Sequence, residues 1–507
     1  MNRPRKLRLW IYTGTILASL LSGNLSAAET NSTDKAAVKD EHGDIGVEKE
    51  TAATHTQHPD AQWYPDAGLG LFIHWGIASV KAMNISWPMI PGRALARKRI
   101  TDPAERERII REGDYDLKGA PNPITPNQYW DMAKDFNPQK YDPDKWLRAA
   151  KAAGFEYVVL TTRHHEGFAL WPSAYGNFDT KNYMGGKDLL KPYVEACRKN
   201  GLKVGFYYSP PNWYFEKDFK NFMYGGGAKN NPEFPPLDAD LKPRTNKPSA
   251  EELAKHQKAY DEMVRGQVTE LLTRYGKIDL LWFDGKPPTP NGSKCITQEE
   301  IRKLQPGIVI NQRLHGHGDF VTYERTLGTD KPVAGWAEFC NTWTAFWPHV
   351  DNAPFRAPGF VLGQFAKSRS VGVNYLLGVG PTRDGEFVEG IYQNMAIVGD
   401  WMKRNAAAVK GTKPLPATES ASVPAVTSAT SRYLFVAPTF KDGGSYAADL
   451  LPAIDATLTL EGVATPTDVK LLSDGSSLKY SYADQTVTIQ LPASKRTKLV
   501  DVVQVDL

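Results

Sequence analysis

A chain of 507 residues with 41% hydrophobic and 23% charged side chains can build a large core and more than one domain, which excludes a fibrous or wholly disordered protein. The formal net charge is only +4, and Arg3, Arg5, Lys6 and Arg8 at the very start account for all of it, so the rest offers no electrostatic case for nucleic acid or anionic lipid. Three cysteines, Cys197, Cys295 and Cys340, have neither the spacing of a metal-ligand set nor that of a disulfide framework, and read as structural.

In chain order, the basic start is followed by an apolar run from Leu9 to Leu21 and then Ser26-Ala27-Ala28. That is the layout of a secretory signal peptide over 1–28. It predicts an exported protein, periplasmic or extracellular, with no membrane insertion after cleavage. A single membrane anchor is the alternative, but the run is short against the ~20 residues needed to span. Residues 29–60 are rich in Thr, Asp, Glu, Lys and His and read as a disordered polar tether.

From 61 to 412 short apolar runs alternate with amphipathic stretches, the pattern of strand-helix units around a parallel sheet. The strand candidates are Leu69 to His74, Tyr157 to Thr162, Leu202 to Tyr208, Ile278 to Asp284, Ile308 to Arg313 and Val373 to Val379. Asp142 caps a helix that has Pro143 at its first position and stops at Gly154. Ser249 and Glu252 form a capping box for another, and Leu189 to Lys199 and Glu386 to Arg404 complete the set. A Gly/Pro/Asn-rich insertion between Asn212 and Pro248 reads as a loop over the pocket mouth. After a Pro-containing Ala/Ser/Thr-rich linker that begins at Lys413, short runs such as Tyr433 to Ala437, Ala456 to Leu460, Thr486 to Leu491 and Val500 to Val505 suit an antiparallel sandwich over 413–507. The fold class is therefore α/β: a (β/α)8-like TIM barrel followed by a C-terminal antiparallel β-sandwich.

In such barrels the chemistry collects at the C-terminal strand ends. Those ends carry His74, the adjacent His164 and His165, Tyr207, Trp282 with Asp284, and Arg313. Aromatic rings, imidazoles and few charges suit a sugar; a phosphate would want a Gly-rich nest or several basic residues. A retaining glycosidase needs a carboxylate such as Asp284 with a second carboxyl about 5–5.5 Å away. Glu324, read as lying on a loop, could supply it. Pattern alone leaves other readings open: Asp284 as a turn or cap residue, one of the paired histidines as a core residue on the opposite face of a strand, and Glu324 as a solvated loop charge. A zinc site from His74, His164 and His165 lacks both a His-x-His strand motif and a His-Glu-x-x-His helix; no metal and no cofactor are expected.

The segments taken together resemble the α-L-fucosidases of glycoside hydrolase family 29. The resemblance rests on Gly70-Leu71-Phe72-Ile73-His74-Trp75-Gly76, Leu160-Thr161-Thr162-Arg163-His164-His165-Glu166-Gly167-Phe168, Gly205-Phe206-Tyr207-Tyr208-Ser209, Leu281-Trp282-Phe283-Asp284-Gly285, Ile310-Asn311-Gln312-Arg313 and Asn374-Tyr375-Leu376-Leu377-Gly378-Val379-Gly380-Pro381. It implies retaining hydrolysis of terminal fucosyl linkages on an oligosaccharide or glycoconjugate. Asp284 would be the nucleophile and Glu324 the acid/base, with Glu338 as runner-up. His74, His164, His165, Tyr207 and Arg313 would bind the sugar, and Trp282 and Trp347 would wall the ring and its methyl group. Departures occur at Arg163 and Glu166, where the usual form is Thr-Lys-His-His-Asp-Gly-Phe, and at Ser86-Trp87, where many relatives have Glu-Trp. Alternatives are a glycosidase for a related 6-deoxy sugar or a sulfated fucan, and a non-catalytic fucose-binding protein. Oligomeric state and the role of the sandwich have no signature in the sequence.

Overall fold

The computed structural model describes residues 38–39, 41–47, 54–92, 94–112, 124–288 and 295–507; the expected signal peptide lies outside them. Eight parallel strands form one sheet: β1 (Leu69–Ile73), β2 (Tyr157–Arg163), β3 (Lys203–Tyr208), β4 (Leu280–Phe283), β5 (Val309–Ile310), β6 (Phe320–Glu324), β7 (Trp336–Thr342) and β8 (Asn374–Val379). Their hydrogen-bonded order is β5-β4-β3-β2-β1-β8-β7-β6. A parallel bridge between Asn311 and Phe320 joins the two ends, so the sheet closes into a barrel and leaves no open edge.

Strands β6 and β7 are absent from the sequence candidates. No helix precedes either of them after β5, so the strand-helix alternation that exposes the others is missing there. Glu324 accordingly ends a strand rather than lying on a loop. The four expected helices are present as α1 (Pro143–Ala152), α2 (Leu190–Lys199), α3 (Ala250–Thr273) and α5 (Glu389–Arg404), and α4 (Pro358–Ser370) is one the sequence reading did not name. The Asp142 carboxylate accepts from the Lys145 N–H, and Ser249 and Glu252 cap α3 reciprocally. Helix α1 buries Trp146, Leu147 and Ala150 on one face, the stripe that seats it on the barrel.

Alternate residues of the strands point to the axis. Phe72, Tyr157, Val159, Tyr207, Leu280, Trp282, Val309, Phe320, Trp336, Cys340 and Leu376 form one cluster inside the barrel. Their neighbours Leu71, Val158, Phe206, Leu281, Ile310 and Leu377 belong to the cluster under the helices. Glu338 sits in the interior with no exposure, accepting from Tyr157 Oη at 2.6 Å, Trp282 Nε1 at 2.9 Å and Tyr64 Oη at 3.3 Å. Burial pushes its carboxyl up to about 7 against hydrogen bonds that favour the anion. The three cysteines are buried and unbridged.

Beyond α5 a four-stranded sheet (Ser420–Ala421, Ala456–Glu461, Thr486–Leu491, Lys479–Ala483) faces a five-stranded one (Asp468–Leu471, Asp501–Asp506, Ser431–Val436, Ala425–Thr427, Lys413–Pro414). The stretch read as a linker thus contributes three short strands, because its prolines fall at edges and ends where no ladder donor is needed. Within Ser431–Val436 the alternation serves two cores: Leu434 and Val436 face the other sheet, Tyr433 and Phe435 face the barrel helices. Trp401 Nε1 of α5 donates to the Val500 carbonyl at 2.6 Å. At Gly359 of α4 a Cβ would run into the Lys498 carbonyl.

Two outcomes follow for stability. Gly359→Ala is expected to lower the unfolding temperature through overpacking of the barrel-sandwich seam, at a cost of about 1–3 kcal/mol; an unchanged melt would show that the seam is loose. Because the Glu338 carboxyl binds its proton more tightly when folded, its contribution is present below the ordinary carboxylate pKa and is lost as pH rises through about 7. Glu216, also pushed by burial to about 7, acts in the same direction. Melting curves from pH 5 to 8 should therefore fall less steeply for Glu338→Gln than for the parent chain.

Candidate active site

Inward parity carries to the C-terminal rim, within β6 and just beyond the ends of β4 and β5. Asp284 stands two residues beyond Trp282, Arg313 four beyond Val309 and Glu324 four beyond Phe320, so all three reach one pocket. Arg313, 2% exposed, joins the two acids: Nη1 donates to Asp284 Oδ1 at 2.7 Å and Nη2 to Glu324 Oε2 at 2.6 Å. Tyr207 Oη donates to Asp284 Oδ2 at 2.7 Å, and His165 Nε2 stands 3.7 Å from the same oxygen.

Burial alone would raise the Glu324 carboxyl, but Arg313 and then His42 outweigh it and hold it well below the usual carboxylate range. Burial likewise opposes the Arg313 charge, and Glu324 and Asp284 more than restore it. His74 and His165 are driven the other way, mainly by burial and then by His164, so they stay neutral near pH 7. Tyr207 keeps its proton because burial and the neighbouring Asp284 push its phenol up.

All nine residues singled out in the sequence border this pocket: His74, His164, His165, Tyr207, Trp282, Asp284, Arg313, Glu324 and Trp347. The two adjacent histidines both face it. They lie just past β2, where the register with β3 shifts between Thr161 and Arg163, so strand alternation no longer separates them; their ring centres are 4.0 Å apart. Trp282 stacks on Tyr207 at 5.5 Å and carries the Arg313 guanidinium 4.5 Å above its ring. Trp347 stacks on His74 at 4.8 Å. Glu338, one strand step below, does not border the pocket; its oxygens are taken by three donors, one of them Trp282.

Phe72, Trp87, Glu41, His42 and Ile45 also line the pocket. Phe72 was legible as the inward residue before His74. The other surprise corrects the tether: residues 41–47 are packed against the rim. Ile45 is 4% exposed, its carbonyl accepts from the Lys286 N–H at 2.8 Å, and Asp44 Oδ1 accepts from the Gly225 N–H at 2.9 Å. His42 Nε2 reaches Glu324 Oε2 at 3.0 Å. Gly285, at φ +87°, leaves room for this backbone; a Cβ there would strike the Ile45 carbonyl. One buried isoleucine and a few hydrogen bonds anchor a stretch too polar to advertise packing. The insertion 212–248 lies beside the mouth instead, with Trp213 against His165 and Trp87. With the 41–47 strap seated, the void over the two acids is about 30 Å³, roughly one water's share of liquid volume.

His164, His165 and Asp284 bring ligand atoms within 4.8 Å of one another. Nδ1 of each ring has another duty, His164 with Ser86 and His165 with Ser209, which leaves only Nε2 of each, and Asp284 serves Arg313 and Tyr207. The guanidinium sets a fixed positive charge where a cation would sit, which opposes binding one.

Comparison with known proteins agrees with this geometry. The tissue alpha-L-fucosidase of Bos taurus is 26% identical over 377 residues, covering 70% of each chain. The alpha-L-fucosidase of Branchiostoma floridae is 26% identical over 464 residues, covering 87% of this chain and 91% of that one. Among solved structures, alpha-L-fucosidase isoenzyme 1 from Paenibacillus thiaminolyticus superposes with a TM-score of 0.65 at 26% identity, covering 89% of this chain and 99% of its own. A Bacteroides thetaiotaomicron GH29 alpha-L-fucosidase, trapped as a covalent intermediate with 2-fluoro-fucosyl fluoride, shares the fold at TM-score 0.64 and 22% identity, covering 91% and 99%. The family model described as alpha-L-fucosidase matches residues 36–407, a span that holds the whole barrel and every residue of the pocket. On that match the chain belongs to the alpha-L-fucosidase family of glycoside hydrolases.

Proposed function

We propose that this chain is a retaining exo-α-L-fucosidase in which Asp284 is the nucleophile and Glu324 the acid/base. The observation that carries the reading is the single Arg313 guanidinium holding both carboxylates at one end of an aromatic and imidazole pocket. Two acids bridged so closely suit the short separation of a retaining pair better than the wider gap that admits a water. In the first step an Asp284 oxygen bonds to the anomeric carbon as the glycosidic C–O bond breaks, and Glu324 gives its proton to the departing oxygen. In the second, Glu324 takes a proton from water while that water's oxygen displaces Asp284 from the same carbon. The fold relative trapped as a covalent intermediate supports this route.

The substrate is a terminal fucosyl group on a glycan. Neutral His74 and His165 exchange hydrogen bonds with hydroxyls, and Trp282 and Trp347 present apolar faces to the ring and the C5 methyl group. A methyl in such a wall is favoured by about 1–3 kcal/mol over a group that fits less well. Export belongs to the same proposal and rests on the basic, then apolar, start of the sequence.

The seated strap is incompatible with a bound pyranose, since ligand pockets run to about 300–1,000 Å³ and only about 30 Å³ is open. Arg313, and then His42 of the strap, keep Glu324 ionised, the wrong state for donating a proton. Fucosyl binding therefore requires residues 41–47 to move outward, and apparent affinity is reduced by the fraction of molecules in which they have not.

With an aryl α-L-fucoside, Asp284→Asn should lose essentially all turnover. Glu324→Gln should lose about 10²–10⁴-fold, and azide should restore turnover of an activated aryl substrate while yielding the α-fucosyl azide. A β-configured first product from the parent enzyme, which is inversion, would sink the nucleophile assignment. In the full chain Ile45→Asp should raise kcat/KM roughly tenfold, equivalent to about 1.4 kcal/mol; a fall instead would mean that the strap helps bind substrate.

A further inference from the structure

Ser86 departs from the family pattern, and its surroundings explain how the chain manages without a larger acid there. The residue is fully buried and held at φ +53°, a backbone region that non-glycine residues seldom adopt. Its N–H donates to Tyr129 Oη at 2.8 Å. Its hydroxyl oxygen lies 2.6 Å from His164 Nδ1, donates to Glu166 Oε2, and accepts the Glu166 N–H at 3.0 Å. Glu166 is 2% exposed and has no Lys or Arg ion partner among the described residues. Its carboxylate stands 3.6 Å from His164 Nδ1, with Ser86 bridging them.

Counting protons settles the direction of this chain of hydrogen bonds. An ionised carboxylate only accepts, and a serine hydroxyl has one proton to give. Once that proton points at Glu166, the Ser86 oxygen must accept from His164, so Nδ1 carries the hydrogen. In the neutral imidazole that leaves Nε2 as the acceptor, and the ring borders the pocket, oriented by its stacking on Tyr207 at 5.4 Å and 4°.

We infer that Ser86 and Glu166 are positioning residues that fix His164 in its Nδ1–H tautomer, so that Nε2 accepts a hydrogen bond from a hydroxyl of the bound sugar. The carboxylate that the usual Glu at position 86 would bring is supplied here from the end of β2, one hydroxyl away. Glu166, one methylene longer than the usual Asp, reaches Ser86 from there. The inference rests on the reading of this pocket as a fucosyl site, and its test separates the two.

Ser86→Gly removes the hydroxyl and relieves the positive φ, which offsets part of the cost of the hydrogen bonds lost to Glu166; a cooperative melt verifies that the variant is folded. In full-length protein carrying 15N-histidine, the parent should show His164 protonated at Nδ1, and Ser86→Gly should shift it toward the Nε2–H form. With an aryl α-L-fucoside, KM should rise about tenfold while kcat changes less. Glu166→Gln should act in the same direction, and the double variant should be no worse than the more affected single one. An Nε2–H signature in the parent, or Ser86→Gly leaving both KM and the signature unchanged, would overturn the inference. If the parent cleaves no fucoside, the functional reading fails while the spectrum still decides the tautomer.

Discussion

The site is organised around one buried guanidinium. Arg313 is almost inaccessible to water, and a charge in that position is tolerable only when paired and hydrogen-bonded. Its planar fork supplies two acids at once, Asp284 on one nitrogen and Glu324 on the other, a geometry that a lysine ammonium cannot reproduce. Removing any one member would leave the others buried without compensation, which typically costs 3–5 kcal/mol. Tyr207 donates to the other oxygen of Asp284, while His42 shares Glu324 Oε2 with Arg313.

Around that charged centre the pocket is kept neutral. Burial lowers the affinity of His74 and His165 for a proton, leaving imidazoles that can each give one hydrogen bond and accept another. That is the requirement for reading hydroxyl groups, which are themselves both donors and acceptors. Trp282 links this upper layer to the barrel interior: Arg313 rests on its face, and its Nε1 is tied from below to Glu338. The interior polar cluster of Glu338, Tyr157 and Tyr64 thus locks the wall of the pocket, which is how a packed barrel can hold a site rigid.

Other parts of the chain act on the site from outside the barrel. The strap fills the mouth with a side chain as small as Ile45 and touches the acid through His42, so the segment that closes the pocket adds to the hold Arg313 already has on Glu324. The sandwich, by contrast, meets the barrel through α4 and α5. Its five-stranded sheet is apolar on both faces. It stabilises the barrel from the side and contributes no residue to the pocket.

The sequence by itself determined which strand ends bear the polar side chains, because alternation along a strand is local: a residue two or four steps beyond an inward apolar one faces inward too. That parity delivered Asp284 and Arg313, and the wider pattern delivered the barrel and sandwich classes and the capped helices; Glu324, on an unforeseen strand, came from the family resemblance. Neither parity nor pattern could deliver β6 and β7, whose connections lack helices, or the shared orientation of His164 and His165, which depends on a register shift against β3. Long-range packing alone puts His42 on Glu324, 282 positions away, and Ser86 on His164, 78 away. Such contacts are set by where closure of the barrel brings distant segments together, and a polar stretch with one isoleucine carries no periodic trace of the groove it will fill.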